Sequence, residues 1–123
     1  PGRPAARDRV MHELPVTESI LRIVLHHAEK AGAQRVVRVN LVLGELSSII
    51  SDSVQFYWGL VAEGTAAEGA ELRFRPVRAE LRCKACGTAF PLRRDDWLCP
   101  QCGSASVEVI TGDQFLVESI EVE

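Results

Sequence analysis

Four cysteines constrain this chain more than any other feature. Cys83 and Cys86 are separated by two residues, twelve residues follow, and Cys99 and Cys102 repeat the two-residue spacing. A two-residue gap lets one tight turn aim both sulfurs at a common ion, and two such turns complete a tetrahedron. Glycine follows each pair, as Gly87 and Gly103. It permits the positive φ that brings backbone N–H groups toward the thiolates. The pattern predicts a structural zinc bound by Cys83, Cys86, Cys99 and Cys102. Four thiolates leave no open position for a hydrolytic water. Three other uses of the same residues stay open at this stage: an iron centre held by four thiolates, a redox Cys-x-x-Cys, and a pair of disulfides. No secretory h-region precedes the cysteines, which favours metal over disulfides and implies a cytoplasmic setting.

Around this lobe the chain of 123 residues alternates helical and extended patterns. Residues 16–31 carry Val16, Ile20, Ile23, Val24, His27, Ala28 and Ala31 at helical spacing, with Pro15 suited to a first turn and Gly32 to the stop. In residues 36–44, Val37, Val39, Leu41 and Leu43 fall on one face and Arg38 and Asn40 on the other, as in a half-buried strand. Ser51 or Asp52 offers an N-cap for a second helix bearing Val54, Tyr57, Trp58 and Val61. Residues 71–77 alternate again, and residues 114–123 read as a closing strand. The expected fold class is therefore α+β: two helices packed on a three-stranded sheet, with an inserted four-cysteine zinc-ribbon lobe. Its expected parts are a mobile extension at 1–10, an α+β domain at 11–80 plus 108–123, and a zinc-binding domain at 81–107. The extension is rich in Arg and Pro and poor in large apolar side chains, so Met11 could be the true start.

The net charge of −3 disfavours nucleic-acid binding, which rests on neutralising phosphates. A zinc-ribbon nucleic-acid module nevertheless remains the alternative reading. The apolar stretches are too short to span a membrane. No nucleophile–base pair or phosphate loop is present, so no enzyme activity is expected. His27 reads as a core or boundary histidine, His26 as solvated and Glu45 as a turn carboxylate.

Met11-His12-Glu13-Leu14, the following helix, the turn Leu43-Gly44-Glu45-Leu46-Ser47, the paired cysteines and a late Gly112-Asp113 occur in this order. In that combination the chain from residue 11 to its end resembles the HypA/HybF family of nickel metallochaperones. The resemblance implies Ni(II) as transported cargo beside a structural Zn(II), and delivery of nickel during [NiFe]-hydrogenase maturation, with a role in urease maturation in some organisms. It implies His12 as principal nickel ligand, Met11 contributing its amine and backbone nitrogen, and Glu13 at or near the site. The implied partners are the accessory GTPase HypB and the hydrogenase large subunit, with the chain acting as a monomer or weak homodimer. One departure matters: the Met-His-Glu run begins at residue 11, where the nitrogen of Met11 is an amide if residues 1–10 stay attached.

Overall fold

The computed structural model describes the backbone of residues 3–94 and 96–123, and the side chains of residues 13–94 and 96–123. Its elements are α1 (Arg3–Lys30), β1 (Val36–Gly44), α2 (Ser51–Val61), β2 (Glu71–Val77), β3 (Glu80–Cys83), β4 (Ala89–Pro91), β5 (Val107–Thr111) and β6 (Phe115–Val122). Two three-stranded sheets form, in the orders β2-β1-β6 and β4-β3-β5. Two helices, the long sheet and an insertion between its second and third strands in sequence match the expected α+β class.

The chain divides into two compact units. The first comprises the residues up to Val42, Ser48–Arg75 and Leu116–Glu123. Here α1 packs on α2. The buried side of α1 is Glu13, Thr17, Ile20, Val24 and Ala28, one residue per turn, and α2 contributes Val54 and Trp58. Val39 and Leu41 of β1 are buried as expected, but Val37 and Leu43 are only half-buried, and Val36 and Val42 are buried as well. On the opposite face Arg38 bonds Glu71 and Glu121, while Asn40 donates to Ser119 Oγ at 3.0 Å. Trp58 Nε1–H donates to the Ala70 carbonyl at 3.2 Å, so its polar edge is satisfied inside the core.

Three local expectations are corrected. Pro15 lies inside α1, not in its first turn. Its missing N–H leaves the carbonyl four residues earlier without a helical donor. Two residues beyond the proline, the Thr17 hydroxyl adds a side-chain bond to the helix backbone, donating to the Glu13 carbonyl at 2.6 Å. The N-cap of α2 is Ile50, with no side-chain cap from Ser51 or Asp52. His27 is exposed and stacks edge-on against exposed His26 at a centroid separation of 5.6 Å, because the inward stripe of α1 runs through Val24 and Ala28. The expected extension at residues 1–10 lies largely outside the described residues: from Arg3 its backbone continues α1, and its side chains are not described.

The second unit comprises Leu43–Ser47 and Pro76–Phe115. Its small core is Ala79, Leu81, Cys83, Phe90, Leu92 and Cys99, with Leu46 and Val107 packed against it. Strand β3 pairs antiparallel with β4, Leu81 opposite Phe90, and with β5, Cys83 opposite Val107. The Leu43–Ser47 turn is held there by the Glu45 N–H to the Val77 carbonyl at 2.8 Å and the Leu46 N–H to the Gly112 carbonyl at 2.6 Å. Glu45 is the turn carboxylate expected: its Oε1 accepts the Ala79 N–H at 2.7 Å.

Candidate metal centre

Each cysteine pair sits at a tight turn. Gly87 and Gly103 adopt φ of 81° and 77°, and their N–H groups donate to the Cys83 and Cys99 carbonyls at 2.9 and 2.8 Å. Glycine makes these turns without the steric cost a side chain would carry. The two turns bring Cys83, Cys86, Cys99 and Cys102 together, with all four sulfurs within 4.8 Å of one another. Cys83 and Cys99 are buried, and Cys86 and Cys102 are exposed. The Cys83–Cys102 and Cys86–Cys99 sulfurs lie 3.5 and 3.7 Å apart. A tetrahedron with zinc–sulfur bonds of about 2.3 Å has edges of about 3.8 Å. The donor set therefore suits a zinc ion, with two edges already near tetrahedral length, and all four cysteines are free of disulfides.

Backbone donors complete the cradle. The Cys86 N–H points to the Cys83 sulfur and the Gln101 N–H to the Cys99 sulfur, each at 3.4 Å. Thr88 Oγ1 lies 3.1 Å from the Cys86 sulfur. These contacts disperse thiolate charge and hold each sulfur in direction. They also separate the thiols in acidity. The Thr88 hydroxyl, followed by the Thr88 backbone, brings Cys86 down to about 6. The Cys86 N–H, first among its influences, lowers Cys83. At Cys102 the Ser104 backbone N–H pulls downward but is outweighed by Cys83, burial, Cys86 and Cys99, leaving the thiol at about 12. A cation must displace whatever thiol protons the cluster retains, so its binding weakens as pH falls. The cysteines were legible from their spacing. Thr88 was not, because a lone threonine beside a glycine carries no ligand signal.

The other expected site is described only in part. Met11 and His12 lie outside the residues whose side chains the structure describes. Glu13 is fully buried, and its Oε2 accepts the Ile50 N–H, at the N-cap of α2, at 2.5 Å. Its Oε1 is buried with no hydrogen-bond partner among the described residues. The carboxylate thus makes the bond that an N3 glutamate makes to the N-cap N–H in a capping box, at a helix start where the dipole favours negative charge.

An α+β unit joined to a four-cysteine ribbon defines a small metal-binding protein with one closed thiolate centre. The family model described as hydrogenase/urease nickel incorporation, metallochaperone, hypA matches residues 11–122, and the chain belongs to this HypA family. It is 44% identical over 114 residues to the hydrogenase maturation factor HypA of Caldanaerobacter subterraneus, covering 92% of this chain and 100% of that protein. Against the hydrogenase maturation factor HypA of Dehalococcoides mccartyi it is 42% identical over 113 residues, 92% of this chain and 95% of the relative. The solution structure of the Ni metallochaperone HypA from Helicobacter pylori aligns with a TM-score of 0.66 at 25% identity, over 89% of this chain and 96% of that one. A second HypA solution structure aligns with a TM-score of 0.72 at 27% identity, over 92% and 97%. Among the described residues, no helix is long and apolar enough to cross a membrane.

Proposed function

We propose that this chain carries Ni(II) at its Met-His-Glu run and delivers it during [NiFe]-hydrogenase maturation, while zinc in the four-cysteine centre acts structurally. The observation that carries this reading is the family match, which begins at Met11. His12 is the principal ligand through its imidazole, and Met11 supplies its amine, when free, and backbone nitrogen. Such a nitrogen-rich, tetragonal donor set suits Ni(II) rather than tetrahedral zinc. The burial of Glu13 supports a location beside the site, with the carboxylate engaged at the start of α2.

The two centres then have complementary chemistry. Four thiolates in a closed tetrahedron hold their ion, as a scaffold requires. The Met-His-Glu run has no such closed thiolate cage, so its ligands can exchange, as a carrier requires. The reading extends to a cytoplasmic location, to an accessory GTPase and the hydrogenase large subunit as partners, to urease as a further recipient, and to the absence of enzymatic activity. Nickel titration of the chain as given, of a version beginning at Met11, and of His12→Ala in each tests it. The Met11 version should bind nickel tightest, with affinity falling as pH drops because protons compete for amine and imidazole. Unchanged affinity in His12→Ala would sink the assignment.

A further inference from the structure

The two most exposed of the large apolar side chains named as exposed in the structure are Phe56 (65%) and Leu60 (58%). They stand one turn apart on α2, with Asp52 a turn before and Glu63 just beyond its end. Scattered exposed apolar residues are ordinary, but an adjacent pair on one helical face is a contact surface in miniature. The surrounding charge says what fits it. No lysine or arginine occurs between Arg38 and Arg73, a span containing Glu45, Asp52, Glu63, Glu68 and Glu71. The sheet glutamates Glu71, Glu118, Glu121 and Glu123 each pair with an arginine. No ion pair among the described residues involves Asp52 or Glu63.

We propose that the Asp52–Phe56–Leu60–Glu63 face of α2 docks a partner protein through an amphipathic helix with apolar side chains one turn apart and flanking lysines or arginines. Such a helix would bury Phe56 and Leu60 and neutralise two carboxylates that have no ion pair among the described residues. A second copy of the chain fits worse, since a two-fold contact centred between Phe56 and Leu60 sets Asp52 against Glu63 of its mate. An anionic lipid surface is repelled by the same carboxylates. The face also starts close to the proposed cargo end. Ile50, bonded to Glu13, precedes Phe56 by six residues, about 9 Å of helix rise. The argument uses no metal, so it stands or falls independently of the nickel reading.

The test titrates the whole chain with two synthetic 18-residue helices of equal apolar content, leucines one turn apart, one flanked by lysines and the other by glutamates. Binding is read from amide chemical shifts, and oligomeric state from sedimentation. The lysine helix should bind about tenfold or more tightly than the glutamate helix, perturb α2, and weaken as salt is raised. Phe56→Ser with Leu60→Ser should lose about tenfold in affinity, while Asp52→Asn with Glu63→Gln should erase the preference between helices. Thermal melts of both variants confirm that they fold. Equal binding of the two helices, shifts centred on Trp97 and Leu98, no binding, or a chain dimer abolished by the Phe56/Leu60 variant would each overturn the proposal.

Discussion

Glu13 follows His12 directly, yet its side chain faces the protein. Oε2 takes the Ile50 N–H and Oε1 has no partner among the described residues, in a fully buried setting. A buried acceptor is expensive to leave half-used, so the bond it does make must be retained. Glu13→Ala removes that acceptor, orphans the Ile50 N–H and opens a cavity. It should destabilise the chain by about 2–4 kcal/mol. Glu13→Gln keeps an oxygen for Ile50 and should cost less than half as much, both measured by urea unfolding. The pair also separates anchoring from ligation. If Glu13 only positions the Met-His-Glu run, Glu13→Gln keeps nickel affinity. A loss equal to that in Glu13→Ala would instead make the carboxylate a ligand.

The three strands of the long sheet and the four-cysteine centre were readable from local pattern, whereas the short strands β3, β4 and β5 were not. Alternation marked β2, where buried Leu72 and half-buried Phe74 lie between exposed arginines, and only part of β1, where Val36 and Val42 are buried as well as Val39 and Leu41. The start of α2 at Ser51 was also legible, but its cap was not, since the capping carboxylate comes from residue 13, far away in sequence. Nothing local distinguishes Glu13 and Thr17 from a solvated helix approach; only the packing of α1 on α2 buries them. The outer face of the long sheet makes its own prediction. Its glutamates have acidities set by their partners: the Arg38 guanidinium foremost for Glu71, Arg75 for Glu118, and the Asn40 amide ahead of Arg38 for Glu121. All three lie below the ordinary carboxylate value of 4.5. A folded-state value below the unfolded one adds stability above the unfolded value, and the gain is lost as pH falls through the folded one. These pairs are exposed, so the effect is modest and salt-sensitive. The urea midpoint of the parent should exceed that of Arg38→Gln at pH 7, and the gap should close as pH falls below 4.5. A gap that persists at about pH 3 would mean that Arg38 acts through packing.

At the scale of the molecule, the second unit has too little apolar core to order itself. Two of its six core residues, Cys83 and Cys99, belong to the metal centre. Its other constraint is close backbone contact: at Gly112, φ is 106° and an added Cβ would overlap the Ala79 backbone. Gly112→Ala should therefore cost about 3 kcal/mol or more and broaden the amide signals of Pro76–Phe115. Removing the metal tests the same dependence more directly. Without a cation the four sulfurs must share a small space, and their repulsion is relieved by keeping protons. Thiols offer none of the bonding that ties both cysteine turns together, so the unit loses most of its folding energy. Chelation should collapse the amide dispersion of Pro76–Phe115 while the signals of α2 and of Val36–Val42 persist. Once the ribbon has opened, its cysteines return to ordinary thiol acidity and are mostly protonated at neutral pH. Rebinding should then release close to four protons (about one per cysteine) to the buffer near neutral pH, and affinity should fall as pH is lowered. Calorimetry in two buffers of different ionisation heat counts those protons. A chelated chain that keeps its ribbon signals would show that the small apolar core, not the metal, holds the second unit together.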